Sequence, residues 1–143
     1  MLSNRSVPRA TVIPVLACPD VTQAAAWRCE AFAFTVRLRI GNHRVRLNAG
    51  DGAVTLREMR LDELNESLGA GCSITVRASD VDAHCKRAGD HEARITEGPK
   101  TQPCGERQYN ALDFAGYSWT FSQSVEDVHP QDWGGTAEQL WNS

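Results

Sequence analysis

The segment that decides the architecture reads Tyr109-Asn110-Ala111-Leu112-Asp113-Phe114-Ala115-Gly116-Tyr117-Ser118-Trp119-Thr120-Phe121. It holds five of the ten aromatic residues, in a chain of 143 residues that is only 7% aromatic. From Tyr117 onward the period is two. Tyr117, Trp119 and Phe121 fall on one face, and Ser118, Thr120 and Ser122 on the other. That alternation marks a strand with one face buried. The aromatic face suits packing on helices, so the hydroxyls are expected on the open face. Asp113 to Gly116 supplies a turn, and residues 106–112 supply the preceding strand, on which Arg107 and Tyr109 share a face.

Working outward, the pattern before this hairpin occurs twice. Residues 12–18 read as a strand, Asp20 as an N-cap, and Val21, Ala25, Cys29 and Phe32 recur at helical spacing. Strands follow at 34–40, 45–49 and 53–59, separated by turns at Gly41-Asn42 and Gly50-Asp51-Gly52. Ser73 to Ala78 is again a strand and Asp80 again an N-cap. Val81, His84, Cys85 and Ala88 form the second stripe, which Gly89 ends. Strands follow at about 93–97, 106–112 and 117–123. Pro19-Asp20-Val21 matches Ser79-Asp80-Val81 at an offset of 60. Gly52-Ala53-Val54-Thr55-Leu56 matches Gly116-Tyr117-Ser118-Trp119-Thr120 at an offset of 64. Internal repetition outranks any local motif. It predicts an α+β fold of two βαβββ modules: an extension at 1–10, a first module at 11–60, a linker at 61–70, a second module at 71–125 and a tail at 126–143.

Composition narrows the partners. The chain is 41% hydrophobic and 23% charged with a net charge of −3, which fits folded units large enough to need neither disulfide nor metal for a core. An acidic pI of about 5.8 gives no general attraction to nucleic acid. Arg37, Arg39, Arg44 and Arg46 alternate as on a solvated sheet face, with anion or nucleic-acid binding as the alternative reading. No apolar run approaches the roughly 18 residues of a membrane span. The stretch Val12 to Cys18 is too short for a signal peptide and is broken by Pro14. The five cysteines, Cys18, Cys29, Cys72, Cys85 and Cys104, are odd in number and form no CxxC pair, which predicts reduced thiols and a cytoplasmic protein. Cys29 and Cys85 read as core. His43, His84, His91 and His129 read as ordinary surface or satisfied histidines.

The ordered pair of βαβββ units resembles the vicinal oxygen chelate superfamily, which includes glyoxalase I, bleomycin-resistance proteins, fosfomycin-resistance proteins and extradiol dioxygenases. The resemblance covers about residues 11–125. The hairpin from Tyr109 to Phe121 looks like the family's closing pattern of Tyr followed by Asp-x-x-Gly, then His or Tyr, then x-Trp-x-Phe. Trp27-Arg28-Cys29-Glu30-Ala31-Phe32-Ala33-Phe34 looks like its first helix, with Ala33 where Phe-Gly-Phe is common. The resemblance implies sheets curved around a cup, and a homodimer.

It also implies a test for metal. Metal-dependent members hold a divalent cation with four residues, typically His, Glu or Gln, on the first and last strand of each module. The matching positions are Ile13, Leu56, Ser73 and Thr120. Hydrocarbons and neutral hydroxyls make poor ligands, so neither a metal site nor a cofactor is expected. The fourth strand admits a second register, in which Val54 and Leu56 are core and Thr55 and Arg57 turn inward. The expected function is binding of a small organic molecule in the cup, as bleomycin-resistance proteins do, with Ile13, Val15, Leu56, Glu58, Ser73, Thr75, Arg107, Tyr109, Ser118 and Thr120 as candidate contacts. One alternative is a metal-independent lyase or isomerase using Glu58, Cys104 or Tyr109 as base. Another is an interaction module whose tail docks Trp133 and Trp141 on the domain or on a dimer mate.

Overall fold

A computed structural model describes residues 2–63, 69 and 71–138 of the chain. The first module runs β1 (Val15–Cys18), α1 (Val21–Phe32), β2 (Thr35–Ile40), β3 (Arg44–Ala49) and β4 (Gly52–Glu58). The second runs β5 (Ser73–Arg77), α2 (Val81–Asp90), β6 (Arg94–Thr101), β7 (Glu106–Leu112) and β8 (Ser118–Ser124). Each module makes its own four-stranded mixed sheet, ordered β1-β4-β3-β2 and β5-β8-β7-β6. The first strand of each pairs in parallel with the last, and the remaining pairs are antiparallel. The fold is the α+β pair of βαβββ modules that the repeat predicts.

The helix starts follow from local chemistry. Asp20 accepts a hydrogen bond from the backbone of Gln23 at 3.0 Å, and Asp80 from that of Ala83 at 3.1 Å. Each satisfies an amide that the first turn leaves orphaned, a contribution of about 1 kcal/mol. The first helix ends at Ala33, which sits in the left-handed region at φ 63°. A glycine would take that conformation without strain. The second helix runs one residue past Gly89, to Asp90.

One core joins the modules. Leu16, Val45, Leu47, Val54 and Leu56 of the first sheet and Tyr109, Ala111, Trp119 and Phe121 of the second belong to the same buried cluster, together with Val21, Phe32, Val81 and Ala88 of the helices. Phe32 is the keystone. Its ring meets Trp27 at 5.0 Å, Phe34 at 5.8 Å, Trp119 at 5.5 Å and Phe121 at 4.8 Å between centroids. Because the core takes the helix-facing side of both sheets, the other side of each sheet points away from it.

Polar ties cross the boundary as well. Asp113, in the turn before Tyr117, accepts from Arg28 of α1 at 2.6 Å and from Trp119 Nε1 at 2.8 Å, and from the backbone of Ala115 and Tyr117 at 3.0 Å each. Arg28 and Asp113 are both buried. The Tyr117 hydroxyl accepts from Ala17 N at 3.0 Å and donates to Ala17 O at 2.9 Å, covering part of the free edge of β1. Trp27 Nε1 donates to the carbonyl of His91 at 2.7 Å.

At the end of the chain, Pro130–Trp133 forms a short 3-10 helix. Trp133 is 46% exposed, so its ring is only partly covered within one chain. Trp141 lies outside the described residues.

Candidate functional site

The strand register assigns each side chain to a face. In the second sheet, Ser73 pairs with Ser118, Thr75 with Thr120 and Arg77 with Ser122. These residues lie opposite Trp119 and Phe121, which are fully buried. The hydroxyls therefore line the open face, and Ser73 and Thr75 are exposed there. Antiparallel pairing adds Asn110 opposite Thr120 and Gln108 opposite Ser122. They are wired together: Thr120 Oγ1 donates to Asn110 at 2.7 Å, Gln108 donates to Ser122 at 3.0 Å, and Ser122 donates to Glu106 at 2.7 Å. The Ser124 and Ser122 hydrogen bonds hold Glu106 below the usual carboxylate range.

In the first sheet, Val15 pairs with Thr55 and Ala17 with Arg57. Leu56 pairs with Leu16 and is fully buried in the core. The second register of the fourth strand is thus the one adopted. Thr55 and Arg57 turn to the open face, Leu56 is no contact residue, and Glu58 follows Leu56 onto the helix-facing side at an exposed strand end. Matched by strand partner, Thr55 corresponds to Thr120, an offset of 65 rather than 64. Ile13 precedes β1 and is half-buried, and Val15 is 49% exposed on the open face.

Two more candidates leave the open face. Tyr109 lies opposite Phe121 and is fully buried. Its hydroxyl meets His84 Nδ1 at 2.5 Å, and burial raises its pKa. Arg107 shares that face and grips Asp82 of α2 with two bonds of 2.9 Å. The parity is as the sequence indicated, but that face is the helix-facing one. The aromatic ring belongs to the core, and the guanidinium ties β7 to a helix.

His84 is a satisfied core histidine. Its Nε2 lies 2.8 Å from the carbonyl of Phe32, so Nε2–H donates there and Nδ1 accepts from Tyr109. Burial lowers its pKa from 6.5. The neutral form is therefore favoured in the folded state, and its contribution to stability is complete above the unfolded value of about 6.5. It is lost progressively as pH falls from there through the depressed folded value. Urea denaturation at pH 5 and 7.5 should show a stability difference that shrinks in His84→Gln. An unchanged difference would remove His84 from the acid response. Glu63 responds lower: the Arg57 fork, at 2.9 and 2.8 Å, holds its carboxyl at about 2.

Two concavities border the helices. A groove of about 480 Å³ runs along α1, with Pro19, Gln23, Trp27 and Phe114 among its lining residues. A cavity of about 190 Å³ lies between Phe34 and Arg77, at the ends of the two modules.

The family profile described as Glyoxalase/Bleomycin resistance protein/Dioxygenase superfamily matches residues 11–121. The chain belongs to this superfamily. Among solved structures, TioX from Micromonospora sp. ML1 is 28% identical, with a TM-score of 0.66 over 84% of this chain and 100% of that one. Lactoylglutathione lyase from Agrobacterium tumefaciens is 22% identical, with a TM-score of 0.61 over 82% of this chain and 96% of that one. A glyoxalase/bleomycin resistance protein/dioxygenase family enzyme from Burkholderia phytofirmans PsJN is 15% identical, with a TM-score of 0.67 over 79% of this chain and 97% of that one. Below 25% identity the likeness is one of fold. No functionally curated protein matches the chain.

Members that use a metal need ligands where the first and last strands of the modules meet. This superfamily member offers Val15 beside Thr55 and Thr75 beside Thr120, or, one row outward, Ser73 beside Ser118. None is an imidazole, carboxylate or thiolate, and these residues do not fit a divalent cation. Among the described residues, no three His, Cys, Asp or Glu converge as a metal site. Nor do the candidate bases converge. Glu58 ends β4, Cys104 lies in the turn before β7, and Tyr109 is in the core. No described helix is long and apolar enough to cross a membrane.

Proposed function

We propose that this chain binds a small organic molecule, without a metal ion, on the open faces of its two sheets, and that a second copy closes those faces into the cup. The observation that carries the reading is the row of Val15, Thr55, Thr75 and Thr120: hydrocarbon and hydroxyl where a metalloenzyme needs ligands. These side chains do not suit an electrophilic metal, and among the described residues Glu58, Cys104 and Tyr109 do not converge as an acid–base pair, which favours binding. The faces mix the hydrocarbon of Val15, Leu38 and Ile40 with hydroxyls and guanidiniums, so they offer apolar contact together with polar groups that can orient a small molecule.

The dimer is motivated by topology. The sheets are not hydrogen-bonded to each other among the described residues, and their open faces point away from the shared core. Apart from the N-terminal arm, which Arg46 and Arg37 hold through the carbonyls of Ser6 and Arg5, no described element encloses these faces, and a second copy would supply the missing wall. All five cysteines are free, which suits a reducing compartment such as the cytoplasm.

Purified without chelators and passed through gel filtration, the protein should retain far less than one metal ion per chain and sediment as a dimer. Stoichiometric metal would overturn the metal-free reading. A monomer at all concentrations would overturn the shared cup. Native mass spectrometry of the same sample should reveal any co-purified compound.

A further inference from the structure

The open face of the first sheet is cationic in a chain whose net charge is −3. Register places Arg44, Arg46 and Arg57 on it beside Leu38, Ile40 and Val15, and no carboxylate of β1 to β4 shares it. Arg44 and Arg57 are direct cross-strand partners. Like charges set opposite one another destabilise a sheet. A solvated face would more readily alternate signs. Glu63, reaching in from the following 3-10 turn, answers Arg57 alone. Arg44 and Arg46 have no ion-pair partner among the described residues.

These guanidiniums already hold oxygen. Arg46 donates to the carbonyl of Ser6, and Arg37, in the bulge of β2, donates to the carbonyl of Arg5 at 3.0 Å. The acceptors come from the chain's own N-terminal arm and are neutral. An anionic oxygen in the same place would make a charge-assisted bond roughly twice as strong.

We infer that the compound bound on this face is an organic anion, with an apolar body on Leu38, Ile40 and Val15 and a carboxylate, sulfonate or phosphate group held by Arg44 and Arg46. This rests on the binding reading above and adds the charge of the ligand. It runs against a cationic ligand of the bleomycin type. In the free protein Arg46 is occupied by the arm at residues 5–7, which the ligand displaces.

Anilinonaphthalene sulfonate and its uncharged counterpart, phenylnaphthylamine, separate the two ideas by fluorescence titration of the full chain. The sulfonate should bind saturably and at least about tenfold more tightly than the neutral probe, since a hydrogen bond to a charged group contributes about 1.5–3 kcal/mol. Arg44→Gln with Arg46→Gln should remove that preference and leave the neutral probe unchanged. Arg44→Lys with Arg46→Lys, which keeps the charge but not the fork, should fall between. Phe114→Ser, in the groove along α1, should change neither probe. Equal affinity for both probes, insensitive to the arginine variants, overturns the anion and leaves a binding protein. Sulfonate binding lost in Phe114→Ser but kept in the arginine variants overturns the site. If neither probe saturates, the anion and the binding reading fall together.

Discussion

Replacing Asp113 with alanine is expected to lower the unfolding free energy by about 3–5 kcal/mol, the range for breaking one partner of a buried ion pair. The carboxylate does four tasks at once. It neutralises Arg28, holds the indole N–H of Trp119, and caps two backbone amides of the turn that leads into β8. Its removal strands a guanidinium that is 2% exposed and whose Nε already lacks a partner. Arg28→Met should cost less, because Asp113 keeps three of its donors and an apolar side chain fills the vacated space. Urea denaturation of both variants checks the order. If Arg28→Met proves as damaging as Asp113→Ala, the ion pair, and not the caps, carries the stability of this turn.

Phe32→Ala is expected to cost about 3–5 kcal/mol as well, through lost burial and the cavity left behind. The ring is 1% exposed and, from the end of the first module's helix, packs on Trp119 and Phe121 of the second sheet. Phe32→Leu, which keeps most of the volume, should cost much less. The effect should appear as a single cooperative transition at lower denaturant, since the ring belongs to a core shared by both modules. Two separate transitions in the variant would show that the modules are energetically independent.

Much of this architecture was legible because it is written in periods. Asp20 and Asp80 sit 60 residues apart and cap their helices as paired N-caps should. The aromatic alternation from Tyr117 to Phe121 named the buried face of β8 correctly. The fourth strand was harder, since Val54, Thr55 and Leu56 are all buried. A period of two reports alternation but not which face is inside, and a single extra residue in one hairpin moves the sequence match out of structural register. Apolar weight at Val54 and Leu56 was the available signal. Tyr109 misled for a related reason: a phenol suits both a rim and a core, and here His84, 25 residues away, satisfies its hydroxyl. Arg28 resembled any helix-surface arginine, and its partner is 85 residues further on. Nothing local announces such a pair. The arginines of β3 were visible as a cluster, but only strand register shows that Arg44 faces Arg57 across the open side.

The Tyr117 hydroxyl on the edge of β1 has a consequence for synthesis. It joins residues 100 positions apart, and Asp113 and Trp119 reach back to the first helix in the same way. A nascent chain that has left the ribosome only through β4 therefore has its full first repeat and an unfinished core. Phe32 stays exposed until the last hairpin emerges to cover it. Such long-range closure slows folding and leaves apolar surface open to wrong partners in the meantime. The repeated halves are two copies in the sequence, but the chain matures as one unit, and only once its final strand has been made.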